Sequence, residues 1–291
     1  MKSECSYFSA AQNPYSSKLN TFTNSPYTAI QKKKEGLPML SNELIRTLEA
    51  QHGVTAACAI CDAATGEALV SYREALVYKS ASLIKTPILL CALDDVEHGL
   101  YTLETKIPVR PACCVGDEKA LLCAGRDVPL RILLEYMITF SNNSATNVLI
   151  DLLGMDRVNA NSRRLGLEET ILRRHMLDYE AARRGNENHT TAADMRRLYT
   201  LLHTGEGLTP FVRETALPIL LRQHDKELIM AADPSQRAAH KTGGLSDIAH
   251  DAGILYGKNR TLIFAALATA PDEKQCVAFL QALSPHVMAA L

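Results

Sequence analysis

Tryptophan is missing from this chain of 291 residues, and Phe contributes only 6 and Tyr 10. No indole is therefore on hand to stack against a ligand. An excess of charge of either sign is missing as well. With 31 basic and 32 acidic residues the formal net charge is −1, so no general attraction to nucleic acid or to an anionic membrane is expected. No apolar run approaches the roughly 18 residues a bilayer-spanning helix needs, and no membrane partner is expected. Met1 to Gly36 is rich in Ser, Asn, Thr, Tyr and Lys and lacks the apolar segment of a secretory signal. Residues 1–38 are expected to be a disordered leader or linker, with Lys32-Lys33-Lys34 a solvated part of it. Cys5 follows no apolar run, which argues against a lipid-anchor site. The protein is thus expected to stay inside the cell, unless an export signal lies outside this sequence. No His/Asp/Glu set has metal-ligand spacing, so neither a metal nor another cofactor is expected. Internal repeats are absent.

What remains is the composition of an ordinary globular enzyme: 47% hydrophobic and 22% charged, long enough to bury a sizeable core. Eight cysteines (Cys5, Cys58, Cys61, Cys91, Cys113, Cys114, Cys123, Cys276) suit a reducing compartment better than a disulfide framework in a chain this long. Cys58-Ala59-Ile60-Cys61 has C-x-x-C spacing, but it lies in a strand-like run where residues three apart face opposite sides. Both are expected to be core residues. Cys113-Cys114 is expected on a loop.

Ser41 caps a helix through Glu43, Leu44, Leu48 and Gln51, ended by Gly53. Strands follow at 54–62 and 67–72 around the turn Ala64-Thr65-Gly66. A helix begins near Ser82. Residues 103–127, with Pro108, Pro111, Gly116 and Gly125, read as mostly loop. Helices are expected at 130–139, 145–153 and 157–165, and a long loop at 172–189. Thr190-Thr191 opens a helix over 192–204, and another covers 210–223. Strands at 252–256 and 261–269 surround the turn 257–260, and Asp272 starts a closing helix to His286.

This order predicts an α/β chain of the α+β type. The N- and C-terminal strands form one antiparallel sheet flanked by the first and last helices. A helical lobe (81–234) is inserted into an α/β lobe (39–80 and 235–291), with a substrate cleft between them.

Three short motifs carry the chemistry. Ser82 and Lys85 are three apart, so they share one side of a helical turn. Ser141-Asn142-Asn143 follows in a turn between helices, and Lys241-Thr242-Gly243 precedes a strand. Alone, S-x-x-K is equally an ordinary capped helix, and Lys241 a solvated strand-end lysine. In this order the three resemble the S-x-x-K, S-D-N and K-T-G set of class A β-lactamases and penicillin-binding proteins. The likeness runs from about residue 40 to the C-terminus. Asn147 completes an S-D-N-T-x-x-N-like stretch, and Thr190-Thr191 resembles the threonine pair after that family's Ω loop.

The resemblance implies an acyl-enzyme on Ser82, with Lys85 as base and Ser141 as proton relay to the leaving nitrogen. It places the oxyanion between the Ser82 and Gly244 amides, with Gly243 and Gly244 allowing close approach. Asn143 and Asn147 would serve substrate binding, and Lys241 and Thr242 would hold a carboxylate. A class A β-lactamase is expected, opening the lactam amide and releasing the acyl group with water. D-alanyl carboxypeptidase-like or esterase/amidase activity, or a sensor that acylates without turnover, stands as the alternative. The partner is a small molecule, a β-lactam or a D-Ala-D-Ala-like amide or ester, and the protein a monomer.

The likeness frays in the Ω loop, where E-P-x-L-N is lacking. Laying Leu177-Asp178-x-Glu180 on the family's L-D-x-W-E makes Glu180 the candidate deacylation base and Asp178 the second. Asn142 replaces an aspartate that is chiefly a brace. His250 and Asp251 are expected as a hydrogen-bonded structural pair at the start of a strand, and His189 as a helix-entry contact.

Overall fold

The computed structural model describes residues 37–116 and 125–291. The expectations for residues 1–36, including Cys5 and Lys32 to Lys34, and for Cys123 lie outside the described residues. In chain order the elements are α1 (Asn42–His52), β1 (Thr55–Asp62), β2 (Ala68–Tyr72), β3 (Tyr78–Lys79), a 3-10 turn (Ala81–Ile84) and α2 (Lys85–Glu97). Then come β4 (Lys106–Pro108), β5 (Asp127–Pro129), α3 (Leu130–Thr139), α4 (Asn143–Leu153), α5 (Met155–Arg164), α6 (Tyr179–Arg183) and β6 (His189–Thr190). The chain closes with α7 (Ala192–Thr204), α8 (Pro210–Leu221), β7 (Ala238–Leu245), β8 (Ile248–Tyr256), β9 (Thr261–Thr269) and α9 (Glu273–Ala289).

The five long strands form one antiparallel sheet in the order β2-β1-β9-β8-β7. N- and C-terminal strands therefore pair, β1 lying against β9 with Cys58 opposite Ala266. The alternation of β1 splits its side chains between two cores. Ala56, Cys58 and Ile60 join Ile45 of α1 and Phe279, Leu280 and Leu283 of α9. Ala57, Ala59 and Cys61 join the helical middle of the chain, including Leu198 and Tyr199 of α7. Cys58 and Cys61 are buried on opposite sides, as their spacing requires. Helix α2 is apolar nearly all round, with residues 85–93 all buried; such a helix belongs at the centre of a core.

Local signals explain most helix starts. The side chains of Ser41, Asn142, Thr191, Thr209 and Asp272 each accept a backbone N–H in the first turn of α1, α4, α7, α8 and α9. Gly53 and Gly205 end α1 and α7 in the left-handed conformation.

Several details differ from the sequence reading. Helix α4 begins at Asn143, two residues early, because Asn142 is its cap. The stretch 103–127 contributes β4 to a two-stranded pairing with β5. The long loop at 172–189 contains α6 and ends in β6, which pairs with β3. Lys241-Thr242-Gly243 lies inside β7 rather than ahead of a strand, and β8 starts at Ile248. His250 and Asp251 are consequently buried within β8, on opposite faces, and do not bond to each other. Asp251 pairs with His240 Nδ1 at 2.9 Å, while His250 Nε2 lies 3.0 Å from the Lys79 carbonyl. No helix among the described residues is long and apolar enough to cross a membrane.

Candidate active site

The 3-10 turn carries Ser82, and Lys85 begins α2 directly behind it. Ala81, just before Ser82, has φ +45, a backbone state that a non-glycine residue adopts only where its surroundings impose it. Strand β7 supplies the pressure. A Cβ on Gly243 would lie 3.0 Å from the Ser82 amide nitrogen and 3.1 Å from Ala81 Cβ, so only glycine lets the strand lie this close to the turn. That approach sets Gly244 in the wall of the cavity at Ser82.

Ser141 enters from the turn before α4, also at positive φ (+55). Its hydroxyl donates to Ser82 Oγ at 3.0 Å. Lys85, fully buried, donates from Nζ to the Ser141 carbonyl (2.5 Å), to Ser141 Oγ (3.0 Å) and to Asn143 Oδ1 (2.9 Å). Lysine, serine and serine are thus one hydrogen-bonded chain ending at the nucleophile. Asn142 keeps its bracing role with an amide: Oδ1 accepts from Ala145 N at 2.7 Å and its carbonyl from Thr146 Oγ1 at 2.7 Å.

Lys241 is also fully buried, donating to the Thr242 carbonyl at 2.9 Å. Burial pushes its pKa down to about 8, against the opposing pull of Asp225 and Asp251. Burial likewise drives His250 to about 4, so its imidazole is neutral at physiological pH. His189 stands in β6, its Nδ1 3.1 Å from Arg173.

The Ω loop is fastened by amides. Asn188 Oδ1 accepts from the backbone of Arg173 (2.7 Å) and Arg174 (3.0 Å), and its Nδ2 donates to the Arg174 carbonyl. Arg174 pairs with Glu187. Asn147 accepts from Met176 N at 2.7 Å and donates to Met176 O at 3.2 Å. Both polar atoms of Asn147 are therefore engaged with the loop, and the side chain is absent from the Ser82 cavity. It holds the loop in place.

The structure does not bring Glu180 to Ser82. Its side chain is two-thirds exposed, on α6, in ion pairs with Arg183 and Arg184. Asp178 caps α6, accepting from Ala181 N at 2.9 Å. The Ω-loop residues that do line the Ser82 cavity are Arg174, Met176, Leu177, Tyr179 and Asn188. The sequence reading singled out none of these as cavity-forming; Leu177 entered it only as an anchor for aligning Glu180. Tyr179, 60% exposed, supplies an aromatic on this wall. Among the described residues no group of three or more His, Cys, Asp or Glu is placed to hold a metal ion.

Comparison with known proteins gives a consistent result. The profile of a family described as "Beta-lactamase enzyme family" matches residues 40–291. The structure of PBP-A is similar at 25% identity, with a TM-score of 0.78, covering 87% of this chain and 98% of that one. A β-lactamase from Sphaerobacter thermophilus is similar at 25% identity and TM-score 0.77, covering 85% and 95%. An ancestral class A β-lactamase is similar at 25% identity and TM-score 0.78, covering 86% and 99%. No curated protein matches by sequence.

Proposed function

Because the chain belongs to the β-lactamase enzyme family, we propose that it is a serine hydrolase which acylates readily at Ser82 but lacks a carboxylate to expel a bound penicilloyl group. The substrate class is an acyl-D-alanyl-type amide or ester, and β-lactams act as slowly released mimics. One observation carries this reading: among the described residues none that lines the Ser82 cavity bears a carboxylate, its Ω-loop wall being Arg174, Met176, Leu177, Tyr179 and Asn188.

The chemistry follows from the geometry. Lys85, once neutral, takes the Ser82 proton, directly or through Ser141, as Oγ attacks the carbonyl. The oxyanion settles against the amides of Ser82 and Gly244. Asn143 meets the amide on the acyl side, and Lys241 with Thr242 meets the carboxylate on the leaving side. Ser141 then hands a proton to the departing nitrogen. A linear substrate loses its amine, and water enters where the amine stood, activated by the same Lys85–Ser141 pair run in reverse. In an opened lactam the amine stays tethered and occupies that place. Release then requires a base on the other side of the ester, the side walled by Met176 and Leu177.

A leucine-to-glutamate variant of PBP-A, similar to this chain at 25% identity, is known as an acyl-enzyme complex with penicillin G. The analogy supports reading Ser82 as the acylated residue.

Intact-mass analysis with benzylpenicillin, run beside hydrolysis of a chromogenic cephalosporin, tests the proposal. A persistent adduct on Ser82 with little product is expected. Rapid product formation with only a transient mass gain would overturn it and restore a working release base. Glu180→Gln sharpens the result. It should leave adduct formation and lifetime within about twofold, as an exposed ion-paired carboxylate contributes little, whereas a much longer-lived adduct would make Glu180 the base.

A further inference from the structure

Leu177 stands between two cavities. One, of about 70 Å³, contains Ser82, Asn143 and Gly244. The other, of about 360 Å³, is lined on its far sides by Cys113, Val115, Asp151 and His175. Among the described residues only Met176 and Leu177 line both. The leucine side chain spans the gap to the opposite wall, since its Cδ1 lies 3.4 Å from where a Cβ on Gly116 would stand.

The backbone holding this partition is strained. Leu177 has φ +61, a left-handed state that disfavours any residue with a Cβ. Its neighbours prevent it from relaxing: Asn147 grips both the amide and the carbonyl of Met176, and Asp178 is committed to capping α6. Strain retained between two fixed points is a common mark of a functional position.

The cavity sizes decide what can enter. An apolar cavity of roughly 150 Å³ suffices for a benzene ring. The space beside Ser82 falls well short of that, and the space behind Leu177 exceeds it. The Ser82 cavity contains the acyl-side residue Asn143 and excludes Lys241 and Thr242, so it faces the acyl side of the ester.

We propose that Leu177 is a specificity-determining residue: it confines the acyl-side substituent of the substrate to a small group and closes the adjoining cavity to larger ones. The inference rests on acylation of Ser82 as proposed above. Small-substituent substrates react fastest because they fit beside Ser82. Those with a ring fixed directly on the acyl carbonyl, unlike benzylpenicillin with its flexible methylene, are slowed because Leu177 occupies their path.

The test compares acylation by 6-aminopenicillanic acid, which carries a bare amine, with acylation by a penicillin carrying a 2,6-dimethoxybenzoyl group. Second-order rate constants are read by intact mass. Leu177→Gly suits the backbone, since glycine tolerates φ +61, and should raise the bulky-to-small ratio by roughly tenfold or more, the low end of what a single methylene in a pocket is worth. Leu177→Ala opens the same gap and should move the ratio in the same direction, which carries the test should glycine loosen the loop. A merely structural leucine would alter the melting temperature and leave the ratio alone. Ser82 adducts with an unchanged ratio in both variants overturn the inference and spare the acylation reading. No adduct with either penicillin in the unmodified protein overturns both.

Discussion

On one side of the sheet, α1 and α9 press Ile45, Phe279, Leu280 and Leu283 onto Ala56, Cys58 and Ile60, all of them buried. On the other side, where β7 meets the helical middle, the chain buries two lysines, Lys85 and Lys241. Four non-glycine residues have positive φ among those described, Arg73, Ala81, Ser141 and Leu177, and the last three carry or flank the Ser82 cavity. The first side follows the ordinary rules of packing. The second departs from them around Ser82, where the proposed acyl transfer calls for a desolvated charge and a backbone held in a disfavoured state. Stability is gathered on one face so that it can be given up on the other.

The largest effect expected separates the two regions directly. Ser82→Ala should abolish the benzylpenicillin adduct, since no Oγ remains to carry the acyl group, and leave the melting temperature where it was. Phe279→Ala, on the packed side, should cost about 3–5 kcal/mol of unfolding free energy in a denaturant titration. Acylation per folded molecule should be unchanged. Loss of both properties in either variant would break the contrast.

Next in size is a pH effect with opposite signs in the two assays. Lys241, held near 8 in the folded chain, titrates at its ordinary, higher value when unfolded. Between those values the unfolded state binds more protons, so this group's contribution to stability rises with pH through that window. In the proposed mechanism the substrate carboxylate is met by the Lys241 cation, so acylation should fall about tenfold per pH unit above roughly 8. Lys241→Met should remove both slopes.

The smallest effect probes the strain itself. Ala81→Gly relieves φ +45, and after the entropy glycine adds to the unfolded chain it should stabilise the protein by up to about 1 kcal/mol. Acylation should drop several-fold as the turn under Ser82 loosens. A gain in stability without loss of rate would show that the strained turn does not serve acyl transfer.

Much of this arrangement was legible in the sequence, for physical reasons that differ by element. α1, α3 and α7 were readable because an apolar stripe agreed with a polar cap or a breaker at the ends. The grouping of Ser82, Lys85 and Ser141 was readable because three short motifs in one order pointed to a single hydrogen-bonded cluster. The start of β8 was not, because His250 and Asp251 are polar side chains buried in a strand, satisfied by Lys79 and His240 far off in the chain. Asn147 could be named but not given its role, since an amide that binds substrate and one that clamps Met176 look alike in sequence. Leu177 served only to align Glu180 and carried no signal of its place beside Ser82: a positive φ at leucine comes from tertiary context. Glu180 drew notice as a loop carboxylate, and nothing in a sequence says which way such a side chain points.

The spacing of Cys58 and Cys61 gives the two regions separate clocks. The two thiols sit on one strand, one in each core, and burial pushes both away from the reactive thiolate. A modifying reagent can reach either only after the layer above it lifts away, so the order in which the two sulfurs react reports which layer opens first. The strand shared by both cores thus records their breathing, one face per sulfur.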